Sequence, residues 1–257
     1  MEFFKVHTEG VVATVTFSRP PANALSSAVL KEFSSLLDEL KDDDQVRVIL
    51  LHGEGRFFSA GADIKEFTAV NTSEQAAELA RAGQQVMEKL EQFPKPVIAA
   101  IHGAALGGGL ELAMGCHIRL VAENAKLGLP ELQLGIIPGF AGTQRLMRYV
   151  GFGKAMEMMW TSEPITGIEA VQWGLANKAV PEEQLLEEAK TLANKIAQKS
   201  PISVRATIEL LHAAKTRSFH EAVEQEAILF GKVFISEDAK EGVQAFIEKR
   251  PAQFRGK

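Results

Sequence analysis

The chain of 257 residues has a single cysteine, Cys116, so no disulfide can close within it. A reducing compartment is therefore expected. It has no excess of positive charge: 28 Lys and Arg against 33 Asp and Glu leave a net charge of −5, the wrong sign for a chain that must neutralise nucleic-acid phosphates. No nucleic-acid partner is expected. Its longest apolar stretch, Val97 to Cys116, reaches membrane-spanning length but holds His102, Glu111 and five glycines, which suits a buried strand, turn and helix better than a bilayer span. No membrane partner is expected either. The six histidines (His7, His52, His102, His117, His212 and His220) form neither HxxxH nor a Cys/His spacing, so no metal site is expected. There is no GxSxG nucleophile elbow and no GxGxxG after a strand, and GFGKAM at Gly151–Met156 lacks the leading glycine and the Ser/Thr of a phosphate loop. Serine-nucleophile, hydride-transfer and nucleotide-hydrolysing chemistry thus have no support. The start, MEFFKV, has neither signal-peptide nor transit-peptide character, and a cytoplasmic location is the expectation.

What is present concentrates between Ile101 and Arg145. Gly107, Gly108 and Gly109 stand where the apolar run PVIAAIHGAAL gives way to the helical run LELAM. Such a corner leaves backbone N–H groups unpaired, and glycine puts no Cβ in the way of a ligand. Glu111 follows in the first helical turn, and Glu131 lies in LGLPELQLG among Leu and Pro. Either feature alone has an ordinary reading, because a helix N-terminus favours a carboxylate and small residues permit close packing. Together they suggest two partly desolvated carboxylates, raised in pKa, flanking an oxyanion site suited to chemistry at a carbonyl and its neighbouring carbons.

Phe3–Thr8 and Gly10–Ser18 read as paired strands. Ser26 or Ser27 caps a helix with apolar residues at Leu30, Phe33, Leu37 and Leu40, ended by Asp42–Asp44, and Val46–His52 reads as a fully buried strand. That order argues for a parallel sheet covered by helices. Residues 53–67 read as a loop, and Thr72 with Gln75 as a capping box for a helix reaching Gln92. The strand from Pro96, the glycine corner, a helix over 109–114 and the strand HIRLVAE form a second unit of the same kind. Beyond Gly151 strand signals fade, and helices are expected over 152–161, 167–173, 181–198, 201–214, 219–233 and 239–249, with Pro181 and Pro201 at first helical positions. Met156, Met158, Met159 and Trp160 read as core or pocket wall.

Three blocks, FFSAGADIKEF at 57–67, HGAALGGGLELAMGC at 102–116 and LGLPELQLGIIPGFAGTQRL at 127–146, resemble the signatures of the enoyl-CoA hydratase (crotonase) family. The likeness extends through PPANALS, TGIEAVQWGLANKAVP and EGVQAFIEKRPAQF, nearly the whole chain, and several ordered blocks are far more specific than one glycine pattern. The resemblance implies an α/β fold, a spiral of repeated ββα units over 1–195 followed by a helical trimerisation region over 196–257, assembled as a homotrimer or a hexamer of two trimers. It implies hydration of a 2-enoyl-CoA thioester to 3-hydroxyacyl-CoA in fatty-acid β-oxidation or related acyl-CoA breakdown. No cofactor is implied, because coenzyme A is part of the substrate.

By the same resemblance, the N–H groups of Ala62 and Gly108 form the oxyanion hole, Glu111 activates water, Glu131 protonates the α carbon and Gly139 helps to hold the water. Ala22, Ala24, Ala60, Asp63, Ile64 and Lys65 fall on coenzyme A contacts, as do Phe230 and Lys249 from the C-terminal helices or a neighbouring subunit. Phe140 stands where smaller residues are common and is expected to narrow or redirect the acyl pocket. Enoyl-CoA isomerisation, hydration of methylglutaconyl-CoA, and a noncatalytic acyl-CoA- or RNA-binding relative stay open as alternatives, with retention of both glutamates favouring hydration.

Overall fold

The computed structural model describes residues 1–257. The chain opens with a hairpin of β1 (Phe4–Glu9) and β2 (Val12–Phe17), antiparallel with Phe4 opposite Phe17. Helix α1 (Ser27–Asp42) follows, with Ser26 Oγ accepting from the N–H of Val29 and an apolar stripe from Val29 to Leu40 turned inward. Its far end is closed by Lys95, whose buried ammonium donates to the carbonyls of Leu40 and Asp43 at 2.6 and 2.7 Å. A cation at a helix C-terminus satisfies otherwise orphaned carbonyls and opposes the dipole.

Strand β3 (Val48–Gly53) lies parallel to β2. The segment after it is not wholly the loop that the sequence suggests: residues 64–67 form a short helix, α2 (Ile64–Phe67), started by the Asp63 carboxylate. Helix α3 (Ser73–Glu91) packs on α1. Its capping differs from the expected box: Thr72 accepts from Gln75 N–H, while the Gln75 side chain accepts from Asn71 N–H rather than from that of Thr72. Strand β4 (Val97–Ile101) joins β3, β5 (Ala104–Leu106) turns away into a second sheet, and α4 (Gly108–Gly115) comes back over the top. Strands β6 (Ile118–Ala122) and β7 (Lys126–Gly128) repeat the move, β6 pairing with β4 and β7 with β5.

Each turn of the chain therefore lays one strand in a large sheet and one in a small sheet before a helix, which is the ββα spiral. In the earlier turns the second strand shrinks to single parallel bridges, Leu25 with Ala62 and Ser59 with Ala105. After a 3-10 turn at Glu131–Leu134 comes α5 (Gly142–Thr161), longer than the helix expected from 152 and interrupted at Gly151, which has non-helical φ and ψ. Met158 on it is buried, whereas Trp160 is 70% exposed and so is not core as expected.

Two strands occur beyond Gly151, where none is expected. β8 (Ile165–Thr166) closes the small sheet against β7, and after α6 (Gly167–Gln172) β9 (Lys178–Val180) completes the order β1-β2-β3-β4-β6-β9. Pro181 is not a first α-helical residue; it precedes a 3-10 turn at Glu182–Gln184, and α7 (Leu185–Ala197) begins later and packs across β2, β3, β4 and β6. Pro201 does open α8 (Pro201–Ala213). Helices α9 (Phe219–Phe234) and α10 (Glu237–Ile247) complete the chain, each with a serine cap. They and the residues at their ends carry exposed Phe219, Phe230, Phe234, Ile235, Phe246 and Ile247, an apolar surface well beyond scattered single residues.

Candidate active site

The site lies at the isolated parallel bridge of Leu25 with Ala62, beside the start of α4. Leu25 donates to Gly61 O at 2.8 Å and accepts from Asp63 N–H at 2.9 Å, so Ala62, bridged between them, turns its own N–H to the other side. Across from it, Gly108 is the first residue of α4, where an N–H has no partner inside the helix. Neither N–H donates to any group of the chain. They are neighbours: a Cβ on Gly108 would come 3.3 Å from Ala62 N. Gly107 makes this corner with φ +53°, and a side chain there would meet Glu131 Oε1 at 3.0 Å.

Glu111 is 1% exposed on α4. One carboxylate oxygen accepts from the N–H groups of Phe140 and Gly142 at 2.8 and 2.6 Å, two donors converging because Ala141 between them has φ +69°. Burial, reinforced by the charge of Glu131, pushes Glu111 up to about 7 despite those two donors and nearby Arg145. Glu131, in its 3-10 turn, is also raised by burial, and its Oε2 is buried without any hydrogen-bond partner. An unpaired buried oxygen favours the protonated carboxyl, which can donate. One carboxylate held by two N–H groups beside a second that lacks partners is an arrangement that can pass protons next to two unengaged N–H donors.

Gly139, half-buried, keeps its N–H free while its carbonyl accepts from Gln84 at 2.9 Å. Phe140 is buried. Its ring fills a notch in α3 at Gly83, where a Cβ would stand 2.1 Å from ring carbon, and its other edge lies against Gly108.

The remaining sequence candidates divide into two groups. Ala22, Ala24, Ala60, Asp63, Ile64 and Lys65 are brought together: Ala60 donates to Ala22 O at 2.9 Å, and Arg19 joins Ala24 O at 2.9 Å to the Asp63 carboxylate at 2.6 Å. That ion pair holds the Asp63 carboxyl below the usual range. Ala60, Ile64 and Lys65 line the rim, all three exposed. Phe230 and Lys249 are not gathered there within one chain. Phe230, 66% exposed, packs at a tilt against Phe234 of α9, and Lys249 has a left-handed backbone after α10.

Sequence reasoning missed two supports. Asn23 is buried with φ +52°, donates to the carbonyls of Glu54 and Phe57 at 2.9 and 2.8 Å, and offers its carbonyl to Ser59 Oγ at 2.7 Å, tying the PPANAL turn to the oxyanion loop. An Asn inside a proline-rich turn is a signal for that conformation. Arg145 is the other; it donates to Phe140 O at 2.8 Å and pairs with Glu91 at 3.0 Å. No local pattern marks a partner that far away. No three His, Cys, Asp or Glu side chains converge as a metal site would require, and no helix is long and apolar enough to cross a membrane.

The profile of the family described as enoyl-CoA hydratase/isomerase matches residues 7–257. A probable enoyl-CoA hydratase of Bacillus subtilis is 58% identical over all 257 residues, the full length of both chains. The short-chain-enoyl-CoA hydratase of Clostridium acetobutylicum is 44% identical, covering 94% of this chain and 93% of the relative. Among solved structures, an enoyl-CoA hydratase from Bacillus anthracis superposes with a TM-score of 0.94 at 40% identity, covering 99% of this chain and 100% of the other. With the ββα spiral, the glycine corner and the two glutamates in place, the chain belongs to the enoyl-CoA hydratase/isomerase family, whose crotonase fold it has.

Proposed function

We propose that the chain hydrates 2-enoyl-CoA thioesters to 3-hydroxyacyl-CoA. The observation that carries the chemistry is the pairing of Glu111 and Glu131, both raised by burial, beside two unengaged N–H groups. The thioester oxygen accepts from Ala62 and Gly108, which draws electron density from the double bond and makes the β carbon electrophilic. Ionised Glu111 takes a proton from water as its oxygen bonds to that carbon, and Glu131 gives its proton to the α carbon. Water is consumed whole, and one proton returns from Glu111 to Glu131 to reset the pair. Donors fixed in advance at a developing negative charge usually lower the barrier more than any other single effect in such catalysis. The free N–H of Gly139 suits the role of a further water contact.

Coenzyme A enters with the substrate, and no resident cofactor or metal is needed. The rim formed by Ala22, Ala24, Ala60, Asp63, Ile64 and Lys65 takes the nucleotide, completed by Phe230 and Lys249 of a neighbouring subunit in a trimer or hexamer. The exposed apolar residues of α9 and α10 support that assembly. Relatives named short-chain-enoyl-CoA hydratase and crotonyl-CoA hydratase, at 44% and 42% identity, support a short acyl chain. The same reading assigns the reaction to fatty-acid β-oxidation or related acyl-CoA breakdown in the cytoplasm.

The test follows the conjugated enoyl-thioester absorbance of crotonyl-CoA. Wild-type protein removes it and forms 3-hydroxybutyryl-CoA, while Glu111→Gln and Glu131→Gln each lose at least about 100-fold in turnover. Wild-type-like turnover in either variant would sink the assignment.

A further inference from the structure

Arg145 lies in the first turn of α5, where the helix dipole opposes a cation, and it is nonetheless buried, with its side chain only 8% exposed. All three nitrogens of its guanidinium are engaged. Nε and Nη2 donate to Glu91 Oε2 at 3.2 and 3.0 Å, and Nη1 donates to Phe140 O at 2.8 Å. Glu91, the last residue of α3, uses its other oxygen to accept from Lys215, which follows α8 in the C-terminal helical region. Three elements distant in sequence thus meet on one carboxylate.

The third arm of Arg145 reaches the catalytic turn. Phe140 is the residue whose N–H, with that of Gly142, holds the Glu111 carboxylate, and the peptide fixed by Arg145 is the one entering Ala141. Ala141 occupies the left-handed region, which an L residue adopts only under constraint. Gripping the Phe140 carbonyl from behind sets the two dihedrals that point both N–H groups at one oxygen. A buried ion pair is weak evidence for stability, since desolvation offsets much of its attraction, so stability alone does not account for this one.

We propose that the Glu91–Arg145 pair, braced from the C-terminal helices by Lys215, is a positioning device for Glu111, fixing the Phe140–Gly142 turn and setting the field at that carboxylate. The proposal rests on the role given to Glu111 above. The charged and titratable groups around it are Glu131 and Arg145 facing Glu111, and Lys215, His117 and Arg119 on the side of Glu91. Arg145 favours the ionised form of Glu111, and Glu91 tempers that cation.

Two neutralising variants separate this role from mere scaffolding. Crotonyl-CoA hydration is measured across pH for the full-length wild type, Arg145→Gln, Glu91→Gln, Arg145→Lys and Glu111→Gln. The two neutral variants lose about 10- to 100-fold in kcat, the scale of a small misplacement of a catalytic group. Their KM stays within about twofold of wild type, because ground-state binding is untouched. The acid limb of the profile moves in opposite directions, up by about half a pH unit in Arg145→Gln, which loses a cation, and down in Glu91→Gln, which loses an anion. Arg145→Lys returns the limb toward wild type while kcat stays low, since an ammonium restores charge but not the fork of donors. If Arg145→Gln does not fold, Glu91→Gln alone carries the expected fall in kcat and downward limb.

Wild-type kcat in Glu91→Gln and Arg145→Gln, with Glu111→Gln inactive, overturns the positioning role and leaves the catalytic assignment standing. Limbs that move the same way in both variants also overturn it. An active Glu111→Gln removes the catalytic assignment itself, and with it anything for the ion pair to position.

Discussion

Replacing Glu111 by Gln should abolish hydration and, at neutral and alkaline pH, make the protein more stable. In the folded chain this carboxyl is lifted from the ordinary 4.5 to about 7 by burial and by Glu131. A carboxyl whose folded pKa exceeds its unfolded one contributes stability that is complete below about 4.5 and is lost as pH rises through about 7. At about 1.4 kcal/mol for each tenfold change in proton affinity, the ionised form costs the fold about 3 kcal/mol above pH 8. Gln keeps an oxygen to accept from Phe140 and Gly142, occupies the same volume and carries no charge. Urea unfolding of both proteins at pH 5 and pH 8.5 measures the difference. The variant should gain relative to wild type between the two pH values by about 2–3 kcal/mol, and its melting temperature at the higher pH should rise by roughly 5–10 °C for a chain of this size. A stability gap that does not change with pH, or one that favours wild type as pH rises, would refute the burial argument. The cost of keeping a carboxylate ready for ionisation in an apolar setting would then have to lie elsewhere.

Three further outcomes are expected. Gly83→Ala drives a Cβ into the ring of Phe140 and should cost about 1–3 kcal/mol together with much of the turnover, because the ring also abuts Gly108; in a Phe140→Ala background the same change should cost little in melts, and an undiminished cost there would exclude the clash. Ala141→Gly relaxes a left-handed alanine and should raise stability by about 0.5–1 kcal/mol with hydration unchanged; a loss in denaturant midpoint would show that the strain is not there. Cys116, buried and with its thiol pushed up to about 12, should resist a disulfide thiol reagent in the native protein and react fully in guanidinium, and rapid native labelling would contradict its burial.

The parts of this fold that sequence makes legible are those whose causes are local. Ser26 before an apolar stripe, Pro201 opening a helix and the buried run at Val48–Gly53 each sit within reach of the residues that explain them. The glycine corner and the two glutamates are legible for the same reason, since their oddity is visible against an apolar background. β8 and β9 are not, being two and three residues long and existing only because an earlier strand presents an edge to them. Gly83 carries no local sign of its purpose, which is the space it leaves in α3 for the ring of Phe140. The Gln75 side chain bonds Asn71 rather than Thr72, a matter of side-chain direction that spacing does not decide. Nothing local marks Glu91 and Arg145, 54 residues apart, as partners, and only the packing of α3, α4 and α5 buries them.

Much of the site is main chain: the N–H groups of Ala62 and Gly108 at the corner, and those of Phe140 and Gly142 beneath Glu111. An alanine scan would delete none of these four N–H groups, and at Gly108 and Gly142 it would report the crowding of a new Cβ rather than the loss of a donor. Interrogating those donors directly calls for amide-to-ester replacement, which deletes one N–H and leaves every side chain as it was.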